Sequence, residues 1–253
     1  MSQTTDGRPP EGGWYRRGVV NANNSGQNAA RDHAIAIALS RQAIHDYVAQ
    51  GDPFAVPHSV QITSYGGSGT TALTANFIEA GLSLPRGPGQ WPHKHQRVPP
   101  AADVVPDGFR VIYVLGDPRD AVLSVFRRGI QVGHWSGLNH YGDDVPIPAA
   151  LDSLDAFIEN GEDLFALDDH VQQWLDHPPG YPVMFLRFNR IDKAWGDVAE
   201  FVGLPHGNPR LSFESRHSDW RSEAPVVRDM LDSLYRNLAE RIDQMPAAMI
   251  VNP

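Results

Sequence analysis

The feature that most narrows the fold lies between residues 59 and 80. There a short β-branched and apolar run gives way to Ser64-Tyr65-Gly66-Gly67-Ser68-Gly69-Thr70-Thr71, and then to Leu73, Phe77 and Ala80 at helical spacing. When a strand passes through glycines straight into a helix, successive backbone N–H groups point at one anion and the helix dipole adds to the attraction. Glycines let the chain wrap that anion. Thr70 and Thr71 supply hydroxyls on the first helical turn, where N–H groups lack partners. The competing reading is an ordinary glycine-rich turn with a threonine cap, but the strand, loop and helix fall in the order that phosphate binding requires. The residue after Gly69 is Thr70 rather than the Lys of a Walker A motif, which argues against a standard P-loop ATPase.

The same alternation of strand and helix recurs along the chain. Residues 59–64, 109–115 and 181–188 read as buried parallel strands. Helices are expected over 71–80, 119–128 and 195–202, stopping at Gly81, Gly129 and Gly203. Between the second and third strands, 153–177 reads as helical and split at Gly161, and 225–245 reads as a last amphipathic helix. An earlier helix is expected over 29–50. Such repetition implies an α/β protein of three layers, α/β/α, with a central, mainly parallel sheet. Residues 1–28, rich in turn formers, read as a flexible N-terminal segment, and 29–253 as one domain.

Composition agrees with an ordered globule: 253 residues, 41% hydrophobic and 20% charged, supply material for one large core. The formal net charge of −9 lacks the basic excess that nucleic-acid backbones attract, so no nucleic-acid partner is expected. No apolar run reaches a membrane span of roughly 20 residues, and the first residues lack signal-peptide order, which makes the cytoplasm the default compartment. Cysteine is absent, which excludes disulfides, thiolate catalysis and Cys-zinc sites. Eleven His remain, but no HExxH occurs, and no metal is expected.

At this point the chain resembles the sulfotransferases that use 3′-phosphoadenosine-5′-phosphosulfate. Their Pro-Lys-Ser-Gly-Thr-Thr-like loop, which binds the 5′-phosphosulfate, corresponds here to Gly66, Gly67, Ser68, Gly69, Thr70 and Thr71. Their Arg-Asn-Pro-Arg-Asp-x-x-x-Ser-like turn, which binds the 3′-phosphate, corresponds to the stretch from Gly116 through Asp117, Pro118, Arg119 and Asp120 to Ser124. Leu186-Arg187-Phe188-Asn189-Arg190-Ile191 resembles the Leu-Arg-Tyr-Glu-Asp-Leu strand end, residues 199–205 the Phe-Leu-Gly-Leu-Pro helix end, and Arg216-His217-Ser218-Asp219-Trp220-Arg221 the late Arg-Lys-Gly…Gly-Asp-Trp-Lys segment. Two departures stand out. The family's loop Lys is Gly67, and the Arg that grips the 3′-phosphate is Gly116. Each charge-assisted contact is worth about 1.5–3 kcal/mol, so other cations must take their place. The candidates are Lys94, Arg119, Arg127, Arg128, Arg187, Arg216 and Arg221.

The resemblance also implies roles. Trp91-Pro92-His93-Lys94-His95 is similar to the family's Lys-Thr-His segment, which makes His95 the base that takes the acceptor proton and Lys94 a cation near the donor, with His93 in reserve. A neutral imidazole near pH 7 suits that task. The plainer reading is a solvated His-Lys-His turn. Ser68 would offer a hydroxyl to the sulfonate, and Phe188 would stack on adenine unless it belongs to the core. Residues 133–144 mix His134, Trp135, His140 and Tyr141 with acids, and read as a substrate-facing loop or a plain surface loop. The expected function is sulfuryl transfer to a hydroxyl or amine of a small molecule, by a monomer or homodimer that needs no metal. The alternatives are an ATP/Mg²⁺ kinase using Asp117 or Asp120, and a non-catalytic nucleotide-binding protein.

Overall fold

The computed structural model describes residues 60–82, 84, 95, 97–99, 102–105, 107–139, 146–176, 179–204 and 218–252. The expected segment 1–28 and helix 29–50 lie outside these residues.

The described chain is α/β, with a four-stranded, mostly parallel sheet and seven α-helices. In chain order the elements are β1 (Val60–Thr63), α1 (Thr70–Glu79), β2 (Arg110–Leu115), α2 (Pro118–Arg127), α3 (Gln131–Asn139), α4 (Leu154–Asn160), α5 (Leu167–Asp176), β3 (Val183–Arg187), α6 (Ile191–Val202), α7 (Pro225–Gln244) and β4 (Ala248–Val251). The sheet order is β1-β2-β3-β4. β1 pairs parallel with β2, Val60 opposite Arg110, and β2 pairs parallel with β3, Val111 opposite Val183. β4 was not expected from the sequence. It returns antiparallel to β3, with Val183 opposite Val251, directly after the long helix α7.

Side chains alternate across a strand, so each strand feeds two cores. Val111, Tyr113, Leu115, Val183 and Phe185 face a cluster that includes buried residues of α2, α3, α4, α5 and α7. Val60, Ile62, Ile112, Val114, Met184 and Leu186 face the opposite cluster, with α1 and α6. Helices therefore pack against each face, an arrangement compatible with three layers. The stripe Leu231, Tyr235, Leu238 and Ile242 shows why α7 docks, since one apolar face at helical spacing lies in the first cluster. Gly161 ends α4 in a left-handed conformation, φ 69°, so the long helical stretch between β2 and β3 is split there as its sequence implies.

One expectation needs correction. The start of the 133–144 stretch is not a loop, because Gln131–Asn139 forms α3. Its two glycines, Gly133 and Gly137, disfavour a helix by propensity, and tertiary burial of Trp135 and Leu138 outweighs them. Trp135 is 5% exposed and belongs to the core, so it does not face a substrate. Among the described residues, no helix is long and apolar enough to cross a membrane.

Candidate functional site

The C-terminal ends of β1 and β2 lie side by side, and each runs into a helix through a short turn. In the first turn, Gly66, Gly67 and Gly69 all adopt positive φ (91°, 66° and 91°). The protein itself demands these glycines. A Cβ at Gly66 would lie 2.1 Å from the His134 ring, one at Gly67 2.6 Å from the Ala121 Cα, and one at Gly69 2.4 Å from the Phe188 ring. The turn closes on itself, because the Gly66 amide donates to Ser64 Oγ at 2.9 Å and Ser68 Oγ donates to the Gly66 carbonyl at 3.0 Å. Tyr65 bolts it to β2: its hydroxyl donates to the Gly116 carbonyl and accepts from the Gly116 amide at 3.1 Å.

Beyond these bonds, the amides of Gly67, Ser68, Gly69 and Thr70 donate to no described residue. The helix they introduce has no side-chain N-cap. Ser68 and Thr70 are buried, so these are orphan donors at the positive end of a helix dipole. The Ser68 hydroxyl, expected to reach a donor's sulfonate, is turned into the loop instead. Thr71 is exposed.

Three imidazoles surround the loop. His95 Nδ1 lies 2.9 Å from the Ser64 carbonyl and His134 Nε2 lies 2.9 Å from the Tyr65 carbonyl. A carbonyl only accepts, so each of those nitrogens carries the proton, and a neutral ring keeps its lone pair on the other one. The two rings meet edge to face, 5.2 Å between centroids. Burial lowers the His134 pKa to about 4, and the nearby Arg128 charge works in the same direction. Arg128 is therefore within electrostatic reach of the ring that covers Gly66. The third imidazole, His170, is completely buried and was not singled out from the sequence. It sits between the Tyr113 hydroxyl, 2.7 Å from Nδ1, and the His95 carbonyl, 3.3 Å from Nε2. Its only sequence signal is a polar residue beside the apolar stripe of α5.

The second turn is built differently. Asp117 caps α2, accepting from the Arg119 amide at 3.0 Å, and Pro118 occupies the first turn. Arg119, expected to hold a nucleotide phosphate, folds back instead. Its Nε and Nη2 each donate to Asp117 at 2.9 Å, and its Nη1 donates to Asp232 at 2.6 Å. The indole of Trp220 covers the guanidinium at 4.0 Å. The Trp220 amide and Nε1 donate to Asp120 and Asp117, so the late segment does meet this turn across 100 residues of sequence. Arg187 is likewise engaged, donating to the Asp243 and Met245 carbonyls at the end of α7. Ser124 is half-buried on α2, and its carbonyl accepts from Arg128 Nε at 3.0 Å.

Between the ends of β2 and β3 lies a cleft of about 510 Å³. Gly116, Phe188, Asn189 and the exposed Arg221 line it, together with the carboxylates of Asp117, Asp120, Asp192 and Asp243. Phe188 joins this cleft to the loop by leaning on Gly69. His93, Lys94, His140, Tyr141 and Arg216 lie outside the described residues. Among the described residues, no group of three or more His, Asp or Glu is arranged to hold a metal ion. Comparison of the chain with protein-family models, curated proteins and solved structures finds no match.

Proposed function

We propose that the chain is a sulfotransferase that moves a sulfuryl group from 3′-phosphoadenosine-5′-phosphosulfate to a hydroxyl or amine of a small molecule, on a three-layer α/β/α fold with a phosphate-binding strand-loop-helix. The observation that carries this reading is the run of donors from Gly67 to Thr70 without a partner among the described residues. Leaving one buried N–H unpaired costs about 1–3 kcal/mol, so the unpaired amides of buried Ser68 and Thr70, beside those of half-buried Gly67 and Gly69, favour a bound phosphate at this helix start. The motif resemblance supplies the donor's identity.

In this reading the acceptor oxygen or nitrogen attacks sulfur, and the bond from sulfur to the bridging phosphate oxygen breaks. Adenosine-3′,5′-bisphosphate leaves, and the acceptor proton passes to Nε2 of His95, whose Nδ1–H is committed to Ser64. Phe188, which lines the cleft beside Gly69, would stack on a base entering it. With Arg119 and Arg187 engaged internally, Arg128, within electrostatic reach of the His134 ring over Gly66, takes the place of the missing loop Lys.

A second reading, phosphoryl transfer from ATP/Mg²⁺, is favoured by the four carboxylates of the cleft. Calorimetric titration separates the two. Micromolar binding of adenosine-3′,5′-bisphosphate without metal supports sulfuryl transfer. Binding of ATP that requires Mg²⁺, with none of the bisphosphate, selects the kinase, and binding of neither ligand overturns both.

A further inference from the structure

We infer that His170 is a positioning residue for His95: its Nε2–H, donated to the His95 carbonyl, holds the His95 ring with Nδ1–H on Ser64 and the lone pair on Nε2. This rests on the reading of His95 as the base. The contacts fix every proton in the chain of groups. The His95 carbonyl can only accept, so His170 Nε2 carries the ring proton, and His170 Nδ1 must then accept from the Tyr113 hydroxyl. Burial pushes the Tyr113 pKa well up, so that hydroxyl keeps its proton. Burial lowers the His170 pKa to about 3, and the Arg97 charge contributes, so the ring is neutral and of one tautomer at working pH.

The groups that face His170 come from every side: Tyr113 from β2, Tyr65 from the loop, Arg97 and His95 from the 95–99 segment, and His134 from α3. The result is one path of hydrogen bonds from the central strand β2, through α5, to the His95 main chain, and from the His95 ring to Ser64 at the mouth of the loop. An apolar side chain would fill the same completely buried volume without burying two ring nitrogens, so packing alone does not account for an imidazole here. The same helix ties the segment a second time, Arg97 Nε donating to Asp169 at 2.6 Å. That partly exposed pair anchors the segment as a whole, whereas His170 grips the one carbonyl that belongs to the proposed base.

The experiment is a long-range ¹H–¹⁵N correlation spectrum of the full chain, labelled with ¹⁵N, at about pH 8, above the ordinary histidine range. In the wild type, His95 should be in the Nδ1–H form. In His170→Leu the ratio of Nδ1–H to Nε2–H should fall about fivefold or more, the worth of one hydrogen bond. His170→Gln, whose amide can still donate to that carbonyl, should restore it. An unchanged ratio in folded His170→Leu overturns the proposal. Should that variant fail to fold, the wild-type spectrum decides the question, since His170 itself must appear in the Nε2–H form to donate to the His95 carbonyl, and a His170 in the Nδ1–H form overturns the proposal. Turnover should fall about 10²-fold in His170→Leu, the usual effect of a misplaced base, with adenosine-3′,5′-bisphosphate affinity unchanged. Absence of nucleotide binding in the wild type would sink the proposed function, while the tautomer ratio would still decide whether His170 positions His95.

Discussion

The turn from β1 into α1 and the turn from β2 into α2 are neighbours in space and alike in outline, each leading a buried parallel strand into a ten-residue helix. They solve the same problem in opposite ways. Every helix start presents unpaired N–H groups and a positive dipole end. At α2 the chain supplies its own anion, since the Asp117 carboxylate caps the helix and Arg119, Asp232 and Trp220 close around it. At α1 the cap position is Gly69, with no side chain to offer, and the amides of Gly67 to Thr70 meet no acceptor among the described residues. The difference teaches that a helix N-terminus is left open to an anion only where the protein does not cap it itself. It also explains why a motif expected to bind phosphate at 116–120 is already complete in itself.

The largest effect should come from Gly67→Val. The substitution forces a β-branched residue into positive φ and drives its Cβ against the Ala121 main chain, which cannot swing aside as a side chain can. A loss of about 3–5 kcal/mol in denaturant unfolding is expected, together with loss of adenosine-3′,5′-bisphosphate binding in whatever fraction stays folded. Normal stability would mean that the loop does not hold the conformation described. Asp117→Ala comes next, at about 3 kcal/mol, because it removes a cap and leaves the nearly buried Arg119 with only one of its two carboxylates. Here the comparison makes its sharpest demand. Nucleotide affinity, measured by calorimetry on the folded variant, should fall far less than in the loop variant, and a fall matching that of the loop variant would place the phosphate at the wrong turn.

How much of this was legible beforehand follows from what short-range patterns carry. The three parallel strands and the helices after them were readable because period, length and terminal glycine are local signals, as at Gly161 and Gly203. β4 was not, since four residues after a helix have little pattern of their own and are made a strand by the open edge of β3. Nor was α3, whose glycines speak against the helix that Trp135 and Leu138 impose through the core. Within the candidate site, the strand, loop and helix were legible from sequence order, and the structure brings His95 beside that loop. The internal pairing of Arg119 was not legible because its partner Asp232 lies 113 residues away, and His170 was missed because its two partners lie 57 and 75 residues away. Pairings at that distance are a property of the fold.

The smallest effect, and the one that separates the two turns without touching either backbone, is acid. The loop leans on neutral imidazoles, whereas Asp232 beside the second turn is held below the usual carboxylate range by Arg236 and Arg119. His134 is lowered from 6.5 to about 4 and His170 to about 3 in the folded protein, so the unfolded chain binds more protons over that interval. Their contribution is therefore complete above the unfolded pKa of 6.5 and is lost as pH falls toward the folded values. Each should add about 1.4 kcal/mol per pH unit to the slope of unfolding free energy between roughly pH 6 and 5. Asp163, raised by burial, tilts the slope the other way wherever it titrates, so the readout is a difference between proteins. His134→Gln should remove about 1.4 kcal/mol per pH unit from that slope, and an Asp232→Asn variant should leave it unaltered in the same window. Equal slopes in the wild type and His134→Gln would mean that His134 is solvated and titrates normally, and the loop would then lose the cover that distinguishes it from the self-capped turn beside it.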